Sequence, residues 1–180
     1  MTSLAEAIRE AAWLEGDFVL RSGRRSSYYL DKYRFGTQPE LLRRLGEAIA
    51  AAVAACEPEA DRLAAPELGA VPLAAAASLA AGLPFVIVRN EPKDHATRNR
   101  LEGPFEAGEL VCLVEDVVTS GGAALSAVAA LRAAGLRVSH AVCVVDREEG
   151  GADELARAAV RLEPLLRVSD LRKDAANAHG

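Results

Sequence analysis

The stretch from Glu109 to Gly122, ELVCLVEDVVTSGG, constrains the fold of this chain more than any other. It begins with a short apolar run rich in β-branched residues, which is typical of a buried parallel strand. The carboxylates Glu115 and Asp116 follow at once, then hydroxyl and glycine residues, then a segment with helical periodicity. This order predicts a strand, a loop and a helix of an α/β sheet, with a binding site at the carboxyl end of the strand.

The loop from Thr119 to Gly122 has the composition of a phosphate cradle. Glycines allow close backbone approach, and the N–H groups that open a helix attract an anion. Neighbouring carboxylates suit sugar hydroxyls or a metal ion, so a ligand with both a sugar diol and a phosphate fits. An ordinary capped strand-turn-helix junction remains the alternative at this point. The P-loop and dinucleotide patterns, G-x-x-x-x-G-K-[ST] and G-x-G-x-x-G, do not occur.

Composition narrows the classes of function. The 180 residues favour one domain, and 51% hydrophobic with 26% charged residues is a globular balance. The net charge of -5 argues against a nucleic-acid surface. The three cysteines have no clustered spacing, which argues against a disulfide framework or a zinc site. We see no signal peptide and no long apolar run, so we expect a cytoplasmic protein without a membrane segment.

Periodicity along the chain predicts an α/β fold, a mainly parallel twisted sheet flanked by helices, with a small N-terminal hood. We expect a single domain over 1–180, divided into a hood at 1–36, a core at 37–172 and a frayed tail at 173–180. The expected helices are 3–14, 38–56, 71–81, 123–134 and 152–160, and the expected strands are 18–20, 27–31, 62–65, 85–88, 110–114, 138–145 and 165–168.

Three further segments carry candidate binding residues. The hairpin after Phe18 combines arginines with tyrosines, which suits an anionic planar ligand or else forms a solvated surface hairpin. The polar stretch 89–103 is long enough to be a functional loop that closes over an anion, or an exposed solvated loop. Arg147, after the strand 138–145, could hold a carboxylate or pair locally with Glu148 or Glu149.

The central motif and four further stretches together resemble a known family. VCLVEDVVTSGGAALSA resembles the phosphoribosyl pyrophosphate (PRPP) motif of type I phosphoribosyltransferases. FVLRSGRRSSYYLDKYRF, APELGAVPLA, VRNEPKDH and VVDREEGG resemble, in order, the hood, pyrophosphate loop, catalytic loop and base-binding strand end of the orotate phosphoribosyltransferases. The triplet Lys93-Asp94-His95 is the most specific of these matches to the orotate branch.

The resemblance implies transfer of a phosphoribosyl group from PRPP to orotate, a step of pyrimidine synthesis, with Mg²⁺ carried mainly by PRPP and Asp116 a possible ligand. It implies a homodimer in which loop 89–103 completes the neighbour's site. The implied catalytic residues are Lys93, Asp94 and His95. The implied PRPP-binding residues are Arg89, Lys93, His95, Glu115, Asp116, Val117, Val118, Thr119, Ser120, Gly121, Gly122 and Ala123, and the implied orotate-binding residues are Thr119, Arg147, Tyr29 and Arg21.

The chain departs from the pattern at Arg21, Gly69 and Asn90, where relatives often carry lysine or a second basic residue. Two other functions remain open: a phosphoribosyltransferase for a different base, and a PRPP sensor without turnover. Arg147 and the tyrosines favour orotate over another base. Lys93 and His95 favour an enzyme over a sensor.

Overall fold

The structure is a computed structural model that describes residues 2–19, 23, 25–90 and 100–177, with side chains of the last helix described through Arg172. In this part of the chain no helix is both long and apolar enough to cross a membrane. The elements are α1 (Leu4–Ala12), β1 (Trp13–Val19), β2 (Arg25–Leu30), α2 (Lys32–Gly36), α3 (Pro39–Cys56), β3 (Arg62–Pro66), α4 (Ala70–Ala81), β4 (Phe85–Val88), β5 (Leu101–Glu102), β6 (Val111–Val118), α5 (Gly122–Ala133), β7 (His140–Asp146), α6 (Gly151–Arg157), β8 (Arg161–Arg167) and α7 (Val168–Asn177).

Six strands form the central sheet in the order β5-β4-β3-β6-β7-β8. All neighbours are parallel except the edge strand β5, which runs antiparallel to β4. The chain builds outward from β3 to β4 and then returns to the other side of β3 with β6. Ligands of open α/β sheets bind at such a switch point, beyond the carboxyl ends of the strands. The site is therefore expected between the loops that follow β3 and β6.

Two apolar layers cover the sheet, one on each face. Leu63 and Cys112 belong to the layer that contains Leu45 of α3 and Leu73 of α4. Their chain neighbours Ala64 and Leu113 belong to the other layer, with the helices α5 and α6. This alternation follows from the two-residue period of strands, and burial on both faces explains why β3 and β6 lack polar alternation. The predicted fold class is confirmed.

The N-terminal region forms a separate antiparallel sheet of β1 and β2. A capping box begins α1, because Ser3 N donates to Glu6 Oε2 at 2.6 Å and Glu6 N donates to Ser3 Oγ at 3.1 Å. Trp13 is the first residue of β1, and its ring stacks on that of Tyr28 with 4.2 Å between ring centroids.

Several boundaries differ from the sequence prediction. The strand β6 runs to Val118, so both acidic residues lie within it, and β8 begins at Arg161. The helix α7 extends to Asn177, past residue 173, where we expected the chain to fray. The helix α2 was not predicted, because five residues are too few to show a period. It begins where the Asp31 side chain accepts a hydrogen bond from Tyr33 N at 3.2 Å.

We predict that Gly46→Ala destabilises the protein. A Cβ at Gly46 of α3 would lie 2.7 Å from the carbonyl carbon of Ala76 in α4, and backbone cannot yield as a flexible side chain can. Overpacking costs about 1–3 kcal/mol, and alanine gains roughly 1 kcal/mol over glycine in a helix, so the expected net loss of stability is up to about 2 kcal/mol. Denaturant unfolding measures the change. Ala51→Gly is the control: Ala51 is exposed on α3, so this variant measures the difference in helix propensity between alanine and glycine without a change in packing. A more stable Gly46→Ala variant would contradict the close approach.

Candidate active site

The acidic residues of β6 lie inside the protein rather than on a loop. Glu115 is 5% exposed and Asp116 is 3% exposed. Both lie in β6, which pairs in parallel with β7, and Glu115 is opposite Cys143. Buried carboxylates are costly unless they are paired or neutralised. Two of them in succession therefore indicate a site and not a packing position.

The surroundings of Glu115 favour its protonated, neutral form. Burial raises the pKa of Glu115 to about 8, and the charge of Asp116 adds to this effect. Its Oε1 atom is buried and has no hydrogen-bond partner. A protonated carboxyl group can both donate and accept, so Glu115 can bind a ligand hydroxyl in either sense.

Asp116 is fixed from two sides. Its Oδ1 accepts a hydrogen bond from Val117 N at 2.6 Å, and the Lys32 Nζ atom lies 2.8 Å from Oδ2. Burial opposes the charge of Lys32, but the contact with Asp116 and the charge of that carboxylate outweigh it and raise the pKa of Lys32. Lys32 Nζ and Asp116 Oδ2 form an ion pair, but the angles between them are not those of a hydrogen bond. The Oδ2 atom can therefore still accept a hydrogen bond from a ligand.

The loop after β6 exposes backbone donors. Gly121, at a φ of +82°, is the N-cap of α5 and has no side chain that could accept from the first turn. The N–H groups of the first turn point out of the helix without intrahelical acceptors, beside the positive end of the helix dipole. This arrangement has the geometry of an anion cradle.

Gly151, the first residue of α6, packs against the loop that forms the anion cradle. Gly151 N donates to Thr119 O at 3.0 Å, and a Cβ at position 151 would lie 2.5 Å from that same oxygen. A Cβ at Gly121 would lie 3.1 Å from Gly151 O. The start of α6 therefore packs directly against the loop. Sequence reasoning missed this contact, although the pair Gly150-Gly151 was a signal for it.

The loop after β3 and the long polar segment meet beside this cradle. Asn90 N donates to Glu67 Oε1 at 2.7 Å. Arg89 N donates to Arg100 O at 2.7 Å, so the two ends of the segment lie together, and Arg100 Nη2 donates to Ser126 Oγ of α5 at 3.1 Å. The Arg89 Nη1 atom lies 3.5 Å from Glu102. The predicted residues Lys93, Asp94 and His95, like Arg21 in the hairpin, lie outside the described residues.

A cleft of about 420 Å³ lies between the hairpin, the loop after β7 and α7. Its lining includes Arg25, Tyr28, Arg147 and Arg172. Arg147 and Arg172 lie over the Tyr28 ring, at 5.4 and 5.0 Å from its centre. Two arginines over an aromatic ring, with Arg25 also lining the cleft, suit a planar ligand that carries a carboxylate.

Arg147 is only 11% exposed, and its Nη2 lies 3.1 Å from Glu149 Oε1 and 3.3 Å from the Tyr28 hydroxyl. The local pairing left open by the sequence is therefore present with Glu149. The buried Nε has no hydrogen-bond partner, which leaves a donor for a ligand. Tyr29 is 42% exposed and its ring lies 5.7 Å from that of Phe18, whereas Tyr28 lines the cleft. The role of Tyr29 stays a prediction.

Comparison with known proteins identifies the family. A family model described as phosphoribosyl transferase domain matches residues 34–164. The orotate phosphoribosyltransferase of Methanocella arvoryzae is 46% identical over 171 residues, which cover 94% of this chain and 96% of that protein. The chain belongs to the orotate phosphoribosyltransferase family. The Halobacterium salinarum orotate phosphoribosyltransferase is 48% identical over 169 residues, which cover 93% of this chain and 94% of that protein.

Solved orotate phosphoribosyltransferase structures have the same fold. The enzyme from Aeropyrum pernix superposes with a TM-score of 0.88 at 31% identity, covering 97% of this chain and 98% of that one. The Mycobacterium tuberculosis H37Rv enzyme in complex with PRPP has a TM-score of 0.79 at 30% identity, with 93% and 96% covered.

We predict that the stability of the ligand-free protein falls between pH 5 and 8 because of Glu115. The folded state keeps this proton up to about pH 8, whereas the unfolded chain loses it near the ordinary value of 4.5. The unfolded state thus binds fewer protons in this range, and stability falls as the pH rises, by an amount on the order of a few kcal/mol.

Glu115→Gln removes the titration, so its free energy of unfolding should fall less steeply over this pH range. Chemical denaturation at pH 5, 6, 7 and 8 measures both slopes. Glu59→Gln, at an exposed position, is the matched control and should keep the wild-type slope. Equal slopes in the Glu115→Gln and wild-type proteins would contradict the buried, protonated state of Glu115.

Proposed function

We propose that this chain transfers the 5-phosphoribosyl group of PRPP to orotate, giving orotidine 5′-monophosphate and pyrophosphate in pyrimidine biosynthesis. The observation that carries this proposal is the buried acid pair of β6 leading into an uncapped helix start. The acid pair can bind sugar hydroxyls, and the helix start that follows it can bind a phosphate. The family supplies the reaction class, and the cationic cleft at Arg147 supports an acceptor base that carries a carboxylate.

The loop from Thr119 to Ala123 would bind the 5′-phosphate with backbone N–H groups and hydroxyls. Glu115 and Asp116 would receive the ribose hydroxyls, Glu115 as a donor as well as an acceptor. Val117 and Val118 belong to the same strand end and position this loop, since Val118 O accepts from Arg147 N at 2.9 Å. That bond also ties the phosphate loop to the strand end where we place the base.

The reaction breaks the bond between the ribose C1 and the pyrophosphate. Positive charge develops on the ribose and negative charge on the leaving group, so cations near the pyrophosphate stabilise the transition state. We assign that role to Arg89, Lys93 and His95, with Asp94 beside them, on the sequence resemblance. Orotate brings its own nucleophilic nitrogen. Exclusion of water by loop 89–103 would prevent hydrolysis of the activated ribose.

Mg²⁺ would be carried mainly by PRPP, with Asp116 as a possible ligand. The described residues contain no cluster of three or more His, Cys, Asp or Glu that could hold a metal ion. Asp116 offers one buried oxygen, already in contact with Lys32, so it fits at most as one ligand among those of PRPP. When bound, Mg²⁺ supplies positive charge that neutralises the leaving pyrophosphate.

The first test is an absorbance assay with PRPP, Mg²⁺ and orotate, run in parallel with adenine, guanine, hypoxanthine and uracil. Turnover with orotate alone supports the proposal. Turnover with another base would keep the PRPP site and overturn the base assignment. PRPP binding by calorimetry without turnover on any base would indicate a sensor. The cytoplasmic location stays a prediction from the sequence.

We predict that Arg147→Ala raises the KM for orotate by about 10–100-fold and changes the KM for PRPP little. A charge-assisted hydrogen bond to a carboxylate contributes about 1.5–3 kcal/mol, and its loss affects only the ligand that carries that group. Steady-state kinetics with each substrate varied in turn measures the split. Arg157→Ala, on the exposed side of α6, is the control and should leave both constants unchanged. Equal increases in both KM values would remove Arg147 from base recognition.

We predict that Lys93→Ala lowers kcat by at least about 100-fold, since it removes a cation that stabilises the leaving group. Lys173→Ala, outside the catalytic loop, is the control. Unchanged turnover of Lys93→Ala would exclude this role.

The same variant tests the proposed homodimer. Mixing Lys93→Ala with Asp116→Asn should restore up to about a quarter of the wild-type activity if loop 89–103 completes the neighbour's site, because half of the dimers are mixed and each has one intact site. If the loop serves its own subunit, mixed dimers contain no intact site and the mixture stays inactive.

A further inference from the structure

Lys32 lies next to the acid pair although it belongs to a different part of the chain. It is the first residue of α2, the short helix between the hairpin and α3. This helix packs against β6 and α4. The Lys32 Nζ atom reaches Asp116 Oδ2 at 2.8 Å, with the Lys32 side chain 39% exposed and that of Asp116 4% exposed. Lys32 therefore brings a cation from the hood side to the centre of the candidate active site.

Gly69 makes room for this contact. A Cβ at Gly69 would lie 1.9 Å from Asp116 Oδ2 and 3.4 Å from Lys32 Cε. A non-bonded carbon atom cannot lie 1.9 Å from a carboxylate oxygen, so one of the two would have to move. The absence of a side chain at position 69 therefore sets where the Asp116 carboxylate lies, and the stem of Lys32 passes close to the same space.

The contact also has an electrostatic reason. Asp116 is buried beside a second carboxyl group, and an unpaired charge there would be strongly disfavoured. Lys32 supplies the opposite charge, while Val117 N fixes the other oxygen. The carboxylate is thus contacted at both oxygens, and Oδ2, which Lys32 approaches without a hydrogen bond, can still accept one from a hydroxyl.

We propose that Lys32 is a positioning residue for PRPP binding, which acts by holding the Asp116 carboxylate in place over Gly69. The inference rests on the proposed function, in which Asp116 receives the ribose hydroxyls of PRPP. It adds a residue outside the central motif to the determinants of PRPP affinity. In this proposal Gly69 and Lys32 act together, because both determine the position of the Asp116 carboxylate.

The experiment measures PRPP binding by calorimetry in the presence of Mg²⁺, together with steady-state kinetics. Lys32→Met keeps the length of the side chain and removes its charge, so the Kd and KM for PRPP should rise about tenfold while the KM for orotate stays unchanged. Arg34→Met is the matched control, because Arg34 is an exposed cation on the same helix. Thermal unfolding checks that each variant is folded.

A double-mutant cycle with Asp116→Asn distinguishes positioning from a general structural role. If Lys32 acts through Asp116, Lys32→Met should change PRPP affinity little in the Asp116→Asn background. An equal effect in both backgrounds would overturn the proposed route through Asp116. Normal PRPP affinity of Lys32→Met would overturn the inference while leaving the function in place. Normal PRPP affinity of Asp116→Asn would overturn the assignment of Asp116, and the inference with it.

Gly69→Ala provides a second variant that leaves Lys32 intact. It should raise the Kd for PRPP by at least about tenfold, because its Cβ displaces the carboxylate. Gly36→Ala is the matched control, since a Cβ there would meet Gly69 O and Pro72 Cγ at an ordinary 4.0 Å. Wild-type affinity in Gly69→Ala would contradict the placement of Asp116 and overturn the inference.

Discussion

The burial of two adjacent carboxyl groups in the central strand is the constraint on which the rest of the site depends. Glu115 and Asp116 are each no more than 5% exposed, and two neighbouring charges cannot both persist there without compensation. The protein resolves this in two different ways. Burial raises the pKa of Glu115 and so favours its protonated form, whereas Asp116 is paired with Lys32. One residue can thus donate and the other can accept, which suits a ribose diol better than two identical carboxylates would.

Glycine positions shape the space around this pair. Gly69 leaves room for the Asp116 carboxylate, and the close contact of Gly121 with Gly151 packs the phosphate loop against α6. In each case a Cβ would collide with backbone or with a carboxylate oxygen. The loops after β3, β6 and β7 therefore meet at one edge of the sheet at distances that only glycine permits. Close backbone approach, more than side-chain packing, determines the form of the site.

The charges are divided along the crevice. The carboxyl groups and the open N–H groups of α5 lie at the switch point between β3 and β6, where a sugar phosphate is expected. The arginines lie toward β2, β7 and α7, around Tyr28, where a carboxylate-bearing base is expected. The bond from Arg147 N to Val118 O joins the two halves. This division matches the chemistry of a donor and an acceptor substrate that must meet at one carbon atom.

The sequence by itself determined the fold class, the order of the core elements and the central motif, because hydrophobic period and glycine placement are local properties of the chain. It also left two roles open for Arg147, and the structure shows the local pairing with Glu149 while the binding of a ligand carboxylate stays a prediction. The tertiary structure decided that both acidic residues are inside β6, that Tyr28 lines the cleft, and that Lys32 and Gly69 meet at Asp116. These contacts join residues far apart in sequence, and no local pattern records which of them approach each other when the sheet and its two apolar layers assemble.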